Sequence, residues 1–131
     1  MSYKFKNIII RKPNRSIQKA LSSKNLNPVF ENILDEHNNY YKIMNELNLN
    51  INLLDPLEDF PDSIFVEDPA LIYKNNLIIL SPSDFSRNGE AKIICEEINK
   101  YFENIFFIKL GSIEGGDILN INDHFIIGLS N

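Results

Sequence analysis

Ile64-Phe65-Val66-Glu67-Asp68-Pro69-Ala70-Leu71-Ile72-Tyr73-Lys74-Asn75-Asn76-Leu77-Ile78-Ile79-Leu80 carries the chain's clearest strand pattern. Two apolar runs, 64–73 and 77–80, flank Lys74-Asn75-Asn76, so the segment reads as two strands joined by a hairpin turn. A similar passage follows. Gly116-Asp117 opens a second pair of runs, 117–121 and 125–129, joined around Asn122-Asp123. Its closing Phe125-Ile126-Ile127-Gly128-Leu129 resembles Leu77-Ile78-Ile79-Leu80, and the step from Asp68 to Asp117 sets a period of 49 residues. Recurrence at such a spacing marks one supersecondary unit repeated along the chain.

The flanking sequence supplies the rest of each unit. Asn27-Pro28 is a helix start, with Asn as N-cap and Pro at the first helical position. Phe30, Ile33, Leu34, Tyr41, Met44 and Leu47 then recur at helical spacing, which predicts an amphipathic helix over about 29–48. Ile51 to Leu54 is a short strand, and Asp55 to Asp62 an acidic loop. After the loop Ser81 to Ser86, the stripe Ala91, Ile94, Cys95, Ile98 and Phe102 predicts a second helix over about 87–103. Ile105 to Leu110 is the next strand, and Gly111 to Gly116 a glycine-rich loop. Helix, strand, acidic loop and hairpin thus occur at 29–80 and again at 87–129. Ahead of both, the β-branched run Ile8-Ile9-Ile10 predicts a strand over Phe5 to Arg11, Lys12-Pro13-Asn14-Arg15-Ser16 ends it, and 17–27 is a polar loop with Leu21 as its isolated apolar residue. The fold class is α/β.

Composition narrows the function. The 131 residues are 44% hydrophobic and 24% charged, enough for a folded core and a single domain. Thirteen basic against eighteen acidic residues give a net charge of −5, which argues against a nucleic-acid or anionic-membrane surface. Cys95 is the sole cysteine, so no intramolecular disulfide forms. Neither a signal-peptide pattern nor an apolar run of ~20 residues is present, so the expected compartment is the cytoplasm.

The acidic residues carry the chemistry. Asp62, Glu67, Asp68, Glu114 and Asp117 all fall in loops or at strand starts. If Glu67 and Asp68 lie in an extended strand, their side chains face opposite sides. Carboxylates converging in a partly dry pocket suit a cation, above all a planar guanidinium held at two points. The same residues can instead be solvated or cap backbone N–H groups. A Mg²⁺ or Ca²⁺ site is a weaker reading, because no Asp-x-Asp-x-Asp loop is present.

Phe60-Pro61-Asp62-Ser63-x-Phe65-Val66-Glu67-Asp68 resembles the signature of the dimethylarginine dimethylaminohydrolases. Ile9-Ile10-Arg11-x-Pro13-x-Arg15-Ser16 resembles that family's first strand and turn, and Ala20-Leu21-Ser22-Ser23 its substrate-covering loop. Ser86-Arg87-x-Gly89-Glu90 and Glu114-Gly115-Gly116-Asp117 resemble its next motifs. The resemblance runs the whole length of the chain. It implies a five-bladed α/β propeller of ββαβ modules, the pentein fold of guanidino-modifying enzymes, of which residues 1–131 would form the N-terminal half as one partial domain. It also implies roles. Asp68 would bind the substrate guanidinium, with Glu67 beside it. Glu114 would orient the catalytic imidazole and the guanidinium. Asp62, helped by the Leu21 backbone carbonyl, would lie near the substrate α-amino group, and Arg87 would clamp the α-carboxylate. Read without the resemblance, Arg87 is an exposed arginine at a helix start.

In this family a cysteine thiolate attacks the guanidinium carbon and a histidine moves the protons. Cys95 sits on an apolar helix stripe and is read as structural. His37 and His124 are read as a helix and a hairpin residue. The expectation is therefore the substrate-recognising half of a hydrolase that converts N-methylated arginine to citrulline and a methylamine, inactive by itself. It would need no cofactor and no metal, and would bind a small guanidino substrate but neither nucleic acid nor membrane. The C-terminal half of the same enzyme, or a second copy of the chain, would be its partner. An arginine deiminase-like enzyme and a non-catalytic arginine-binding module are the alternatives.

Overall fold

The structure, a computed structural model, describes residues 5–22, 28–122 and 124–129. It divides into two compact units, Met1–Phe65 and Val66–Asn131. In the first, β1 (Asn7–Arg11) and β2 (Asn50–Leu54) pair in parallel, with Asn7 opposite Asn50 and Arg11 opposite Leu54. Parallel neighbours need a crossover, and α1 (Phe30–Glu46) provides it. Val29, in extended backbone, is the residue at the head of α1 and gives no side-chain cap. The expected cap, Asn27, lies outside the described residues, as do Ser23 and the rest of 23–27. Pro28 precedes the helix instead of opening it. Ile33, Leu34 and Met44 are half-buried on α1, whereas Tyr41 and Leu47 are exposed, so the apolar stripe is narrower than its periodicity predicts.

The polar loop read over 17–27 starts as structure. Arg15–Lys19 is a 3₁₀ turn, and Ile17 is buried, as are Ile10 and Leu54. The Glu58 carboxylate explains the turn: it accepts the Arg15 and Ser16 backbone N–H groups at 3.2 and 3.3 Å. Both donors would otherwise be unpaired at a helix start.

The second unit contains a complete ββαβ element. β3 (Ala70–Tyr73) and β4 (Asn76–Ile79) form the hairpin, with Ala70 opposite Ile79 and Lys74 at φ 54° in the turn. α2 (Glu90–Ile98) returns the chain to β5 (Asn104–Phe107), which lies parallel to β4. Leu77, Ile79, Leu80, Ile94, Cys95 and Ile98 are the buried core of this element. β6 (Ile118–Ile121) and β7 (His124–Ile127) then repeat the hairpin, Ile118 standing opposite Ile127 as Ala70 stands opposite Ile79.

Two expectations are corrected. The strand read over 64–73 begins only at Ala70, because the chain between Leu57 and Phe65 makes successive turns (Phe60 N–H to Leu57 C=O, Ser63 to Phe60, Phe65 to Asp62) and Pro69 cannot donate to a ladder. Glu67 and Asp68 therefore lie outside the sheet, and strand alternation does not assign their faces. The repeat is also 48 residues, from Ala70 to Ile118 and from Asn76 to His124. Asp117 directly precedes β6, whereas Asp68 stands two residues before β3, so Gly116 and not Asp117 is the counterpart of Asp68. Among the described residues no helix is long and apolar enough to cross a membrane.

Leu77 is fully buried. Leu77→Ala is expected to lower stability in a urea titration by about 2–5 kcal/mol, while Lys92→Ala on the exposed side of α2 changes it by less than about 0.5 kcal/mol. His37 gives a pH signature. Burial holds its imidazole below the ordinary 6.5, opposed by a hydrogen bond with the Arg11 backbone. The unfolded chain then binds the proton better, so the contribution is present above pH 6.5 and is lost as pH falls through the lower, folded value. The urea midpoint should drop from about pH 7.5 to about pH 5, and less so in His37→Gln.

Candidate functional site

The site residues of the second unit are assembled by backbone turns at the head of its strands. Pro69 C=O accepts the Leu80 N–H at 2.9 Å, and Ser81 and Ile113 exchange backbone hydrogen bonds at 3.2 and 2.9 Å. Gly115 N–H donates to Asp68 C=O at 3.1 Å, so the Glu67-Asp68 turn and the Glu114-Gly115-Gly116-Asp117 turn are stitched together. The stitch needs a residue without a side chain: a Cβ on Gly115 would run into the Glu67 carbonyl. Glu67 is exposed, and Asp68 and Glu114 are half-buried. Asp117 is a local cap, accepting the Glu114 N–H at 3.1 Å.

Arg87 enters this cluster from the other side. Asp84 Oδ1 accepts the Ser86 N–H at 2.8 Å and the Ser86 hydroxyl at 2.7 Å, and these bonds hold its carboxyl below the usual range. They start the 3₁₀ turn Phe85–Arg87, whose last side chain goes inward. The Arg87 side chain is only 4% exposed, so the exposed helix-start arginine of the sequence reading is corrected. Its Nη1 donates to Asp68 Oδ2 at 2.5 Å, and its Nε and Nη2 donate to Glu90 Oε2 and Oε1 at 2.8 and 3.0 Å. Burial favours the neutral guanidine, but the hydrogen bonds and charges of Glu90 and Asp68 outweigh it and raise the pKa above the ordinary arginine value.

Glu90 stands in one of the motifs quoted above, but the sequence assigns it no role. Its signal is Arg87-Asn88-Gly89-Glu90: Gly89, at φ 97°, heads α2 and brings an i, i+3 arginine–glutamate pair together across a helix start.

The first unit holds the other two candidates. Asp62 is 4% exposed, and the Leu21 N–H donates to both of its carboxylate oxygens, at 3.1 and 3.3 Å. The amide of Leu21 thus ties the Asp62 carboxylate to the end of the Ala20-Leu21 segment. Asn14, also unassigned by sequence, is buried, and its Nδ2 lies 3.0 Å from each of Leu57 C=O, Phe60 C=O and Ser63 Oγ. It thereby shapes the turn that presents Asp62.

A cleft of about 590 Å³ between α2 and the ends of β4 and β5 is lined by Arg87 and Cys95 but not by Glu67, Asp68 or Glu114. The Cys95 thiol is pushed up by burial and by the Glu96 charge, away from the thiolate form. Among the described residues no three His, Cys, Asp or Glu side chains group to hold a metal ion.

No family model matches the chain. Its sequence is 41% identical over 129 residues to the dimethylarginine dimethylaminohydrolase of Pseudomonas aeruginosa, covering 96% of this chain and 51% of that protein. It is 33% identical over 76 residues to the enzyme of that name in Streptomyces coelicolor, covering 57% of this chain and 30% of the other. A mutant of the Pseudomonas aeruginosa enzyme complexed with citrulline superposes with a TM-score of 0.92 at 40% identity, over 98% of this chain and 51% of that one. The N-terminal domain of ArgZ, an arginine dihydrolase, shares the fold at 16% identity, with a TM-score of 0.74 over 88% of this chain and 45% of that one.

These matches put the chain first in a class, the α/β proteins that share the fold of the citrulline-bound enzyme and of the ArgZ domain. Within that class it belongs, over its own length, to the dimethylarginine dimethylaminohydrolase family. The chain spans about half the length of the Pseudomonas relative.

Gly115→Ala is expected to cost about 1–3 kcal/mol, because the Glu67 carbonyl must move to admit the methyl group. Gly116→Ala, where a Cβ meets nothing within 4 Å, should stay within about 0.5 kcal/mol in the same thermal or urea unfolding series.

Proposed function

We propose that this chain is the substrate-recognising, N-terminal half of a hydrolase that converts N-methylated arginine to citrulline and a methylamine. The observation that carries the reading is the 41% identity over 96% of the chain to the Pseudomonas dimethylarginine dimethylaminohydrolase. The superposition on that enzyme's citrulline complex supports it. The deiminase-like alternative has less behind it, since at 16% identity the ArgZ domain shares the fold alone.

In this reading Asp68 binds the substrate guanidinium, flanked by Glu67. Glu114 orients the guanidinium and the imidazole that moves protons. Asp62, fixed by the Leu21 amide, faces the α-amino group together with the Leu21 carbonyl, and Arg87 serves the α-carboxylate. A carboxylate beside a guanidinium is a strong, directional contact, and the half-buried setting of Asp68 strengthens it. The nucleophile and the proton carrier come from polypeptide beyond these 131 residues. Cys95 is buried with a raised pKa, His37 lies half-buried on α1, and neither adjoins the carboxylates in sequence. The larger architecture is a five-bladed propeller. The ββαβ order of β3, β4, α2 and β5 supports one blade, the β6–β7 hairpin the opening of the next, and residues 1–131 belong to a single partial domain on this view.

Two measurements test the reading. A citrulline assay with dimethylarginine should show no product from the 131-residue chain. An NMR titration with the same compound should shift the Asp68, Arg87 and Glu114 amides, and Asp68→Ala should weaken binding by about 1.5–3 kcal/mol, roughly ten- to hundredfold. Citrulline released by the chain alone, or a response undiminished in Asp68→Ala, would refute it.

A further inference from the structure

Glu90 has no part in the roles above, yet its side chain is 2% exposed and both of its oxygens are committed to Arg87. The two contacts, Nε to Oε2 and Nη2 to Oε1, engage one edge of a planar group and so fix the plane as well as the place of the guanidinium. With that edge held, Nη1 is the side left to meet Asp68 Oδ2.

We propose that Glu90 is a positioning residue: it fixes the orientation of Arg87 and, through Arg87, that of the Asp68 carboxylate. Asp68's role toward a ligand rests on the function proposed above, whereas the chain of contacts does not. Stability gives little reason to bury this group. Replacing a buried ionic cluster by well-packed apolar side chains is often neutral or stabilising, whereas a site carboxylate held in one orientation needs a locked supporting shell. The local sequence serves that end, because the left-handed Gly89 sets Glu90 in the first turn of α2, one short turn after Arg87.

The arginine Nε–H signals of the ¹⁵N-labelled chain read the positioning directly, with the Arg87 signal assigned by its loss in Arg87→Lys. It should exchange slowly with solvent. Glu90→Gln, almost the same shape without the charge, should speed that exchange at least about tenfold, and Asp68→Asn should leave it within about twofold, since the Glu90 fork is intact there. Unchanged exchange in Glu90→Gln, or loss of protection in Asp68→Asn, overturns the proposal, and the second variant decides the matter if the first does not fold. A purely structural Glu90 would lower the melting temperature and leave the response of the folded chain to dimethylarginine intact; that outcome also overturns it. The expected result is a response weakened about tenfold in Glu90→Gln and unaltered in Lys92→Gln. If the parent chain shows no response to dimethylarginine while the exchange results hold, it is the proposed function that fails and the Glu90 geometry that stands.

Discussion

The second unit is organised around one buried cation. A guanidinium keeps its proton at any ordinary pH, so Arg87 cannot enter the interior by becoming neutral. Its entry must be matched by charge, and Asp68 and Glu90 supply it at 2.5–3.0 Å. Each of the three is constrained from elsewhere. Asp84 starts the turn that aims Arg87, Gly89 heads the helix that carries Glu90, and the Asp68 carbonyl is tied to Gly115. Removing either carboxylate would leave a buried charge partly uncompensated, which is far more costly than exchanging the whole cluster for apolar groups. The positions of the Glu67–Asp68 and Glu114–Asp117 turns therefore depend on electrostatics as much as on apolar packing.

Much of the architecture was legible because it rests on periodicity. The run Leu77-Ile78-Ile79-Leu80 reads as a buried strand, the 3.6-residue stripe over Ile94 and Ile98 as a packed helix, and the repeated hairpin as a second copy of one unit. All three are present. What failed were boundaries governed by contacts remote in sequence. Nothing local says that Glu58 will cap the turn at Arg15, some forty residues away, or that Ile17 will be buried. The strand read from Ile64 shows a different error. Ile-Phe-Val is apolar enough for a strand, but two prolines and a succession of i, i+3 backbone bonds turn it into a loop, and one-dimensional patterning does not weigh those against each other.

The candidate site was legible in residue type and not in partnership. The acidic positions stand out in the sequence, and their crowding suggests a guanidinium. The guanidinium that Asp68 holds in this structure is the chain's own Arg87. Composition and spacing, without the family resemblance, rank Glu67, Asp68, Glu114 and Asp117 only as similar loop acids. The structure separates them physically: Asp68 is an ion-pair partner, Asp117 a backbone cap, Glu67 an exposed side chain and Glu114 a half-buried one. Asn14 and Glu90 have no assigned role in the sequence because their work is done on other protein groups: Asn14 leaves no mark in composition, and the Arg87–Glu90 spacing shows only that the two can pair.

Holding a cation and forming a thiolate nucleophile make opposite electrostatic demands on a site. Carboxylates that hold a cation bring negative charge to the site, and those of Asp68 and Glu90 lie within hydrogen-bond distance of the Arg87 guanidinium. A sulfur nucleophile must reach the thiolate form near neutral pH, which calls for positive potential or a basic neighbour. Cys95 has the reverse, an apolar helix face and the adjacent Glu96 charge, both raising its pKa. Among the described residues of the unit, Arg87 is the strongly buried positive group, and it is already matched by two carboxylates. A cluster of this polarity, in a chain whose net charge is −5, disfavours thiolates. The charges that hold the Arg87 guanidinium in place are thus the reverse of those that would turn a thiol such as Cys95 into a thiolate.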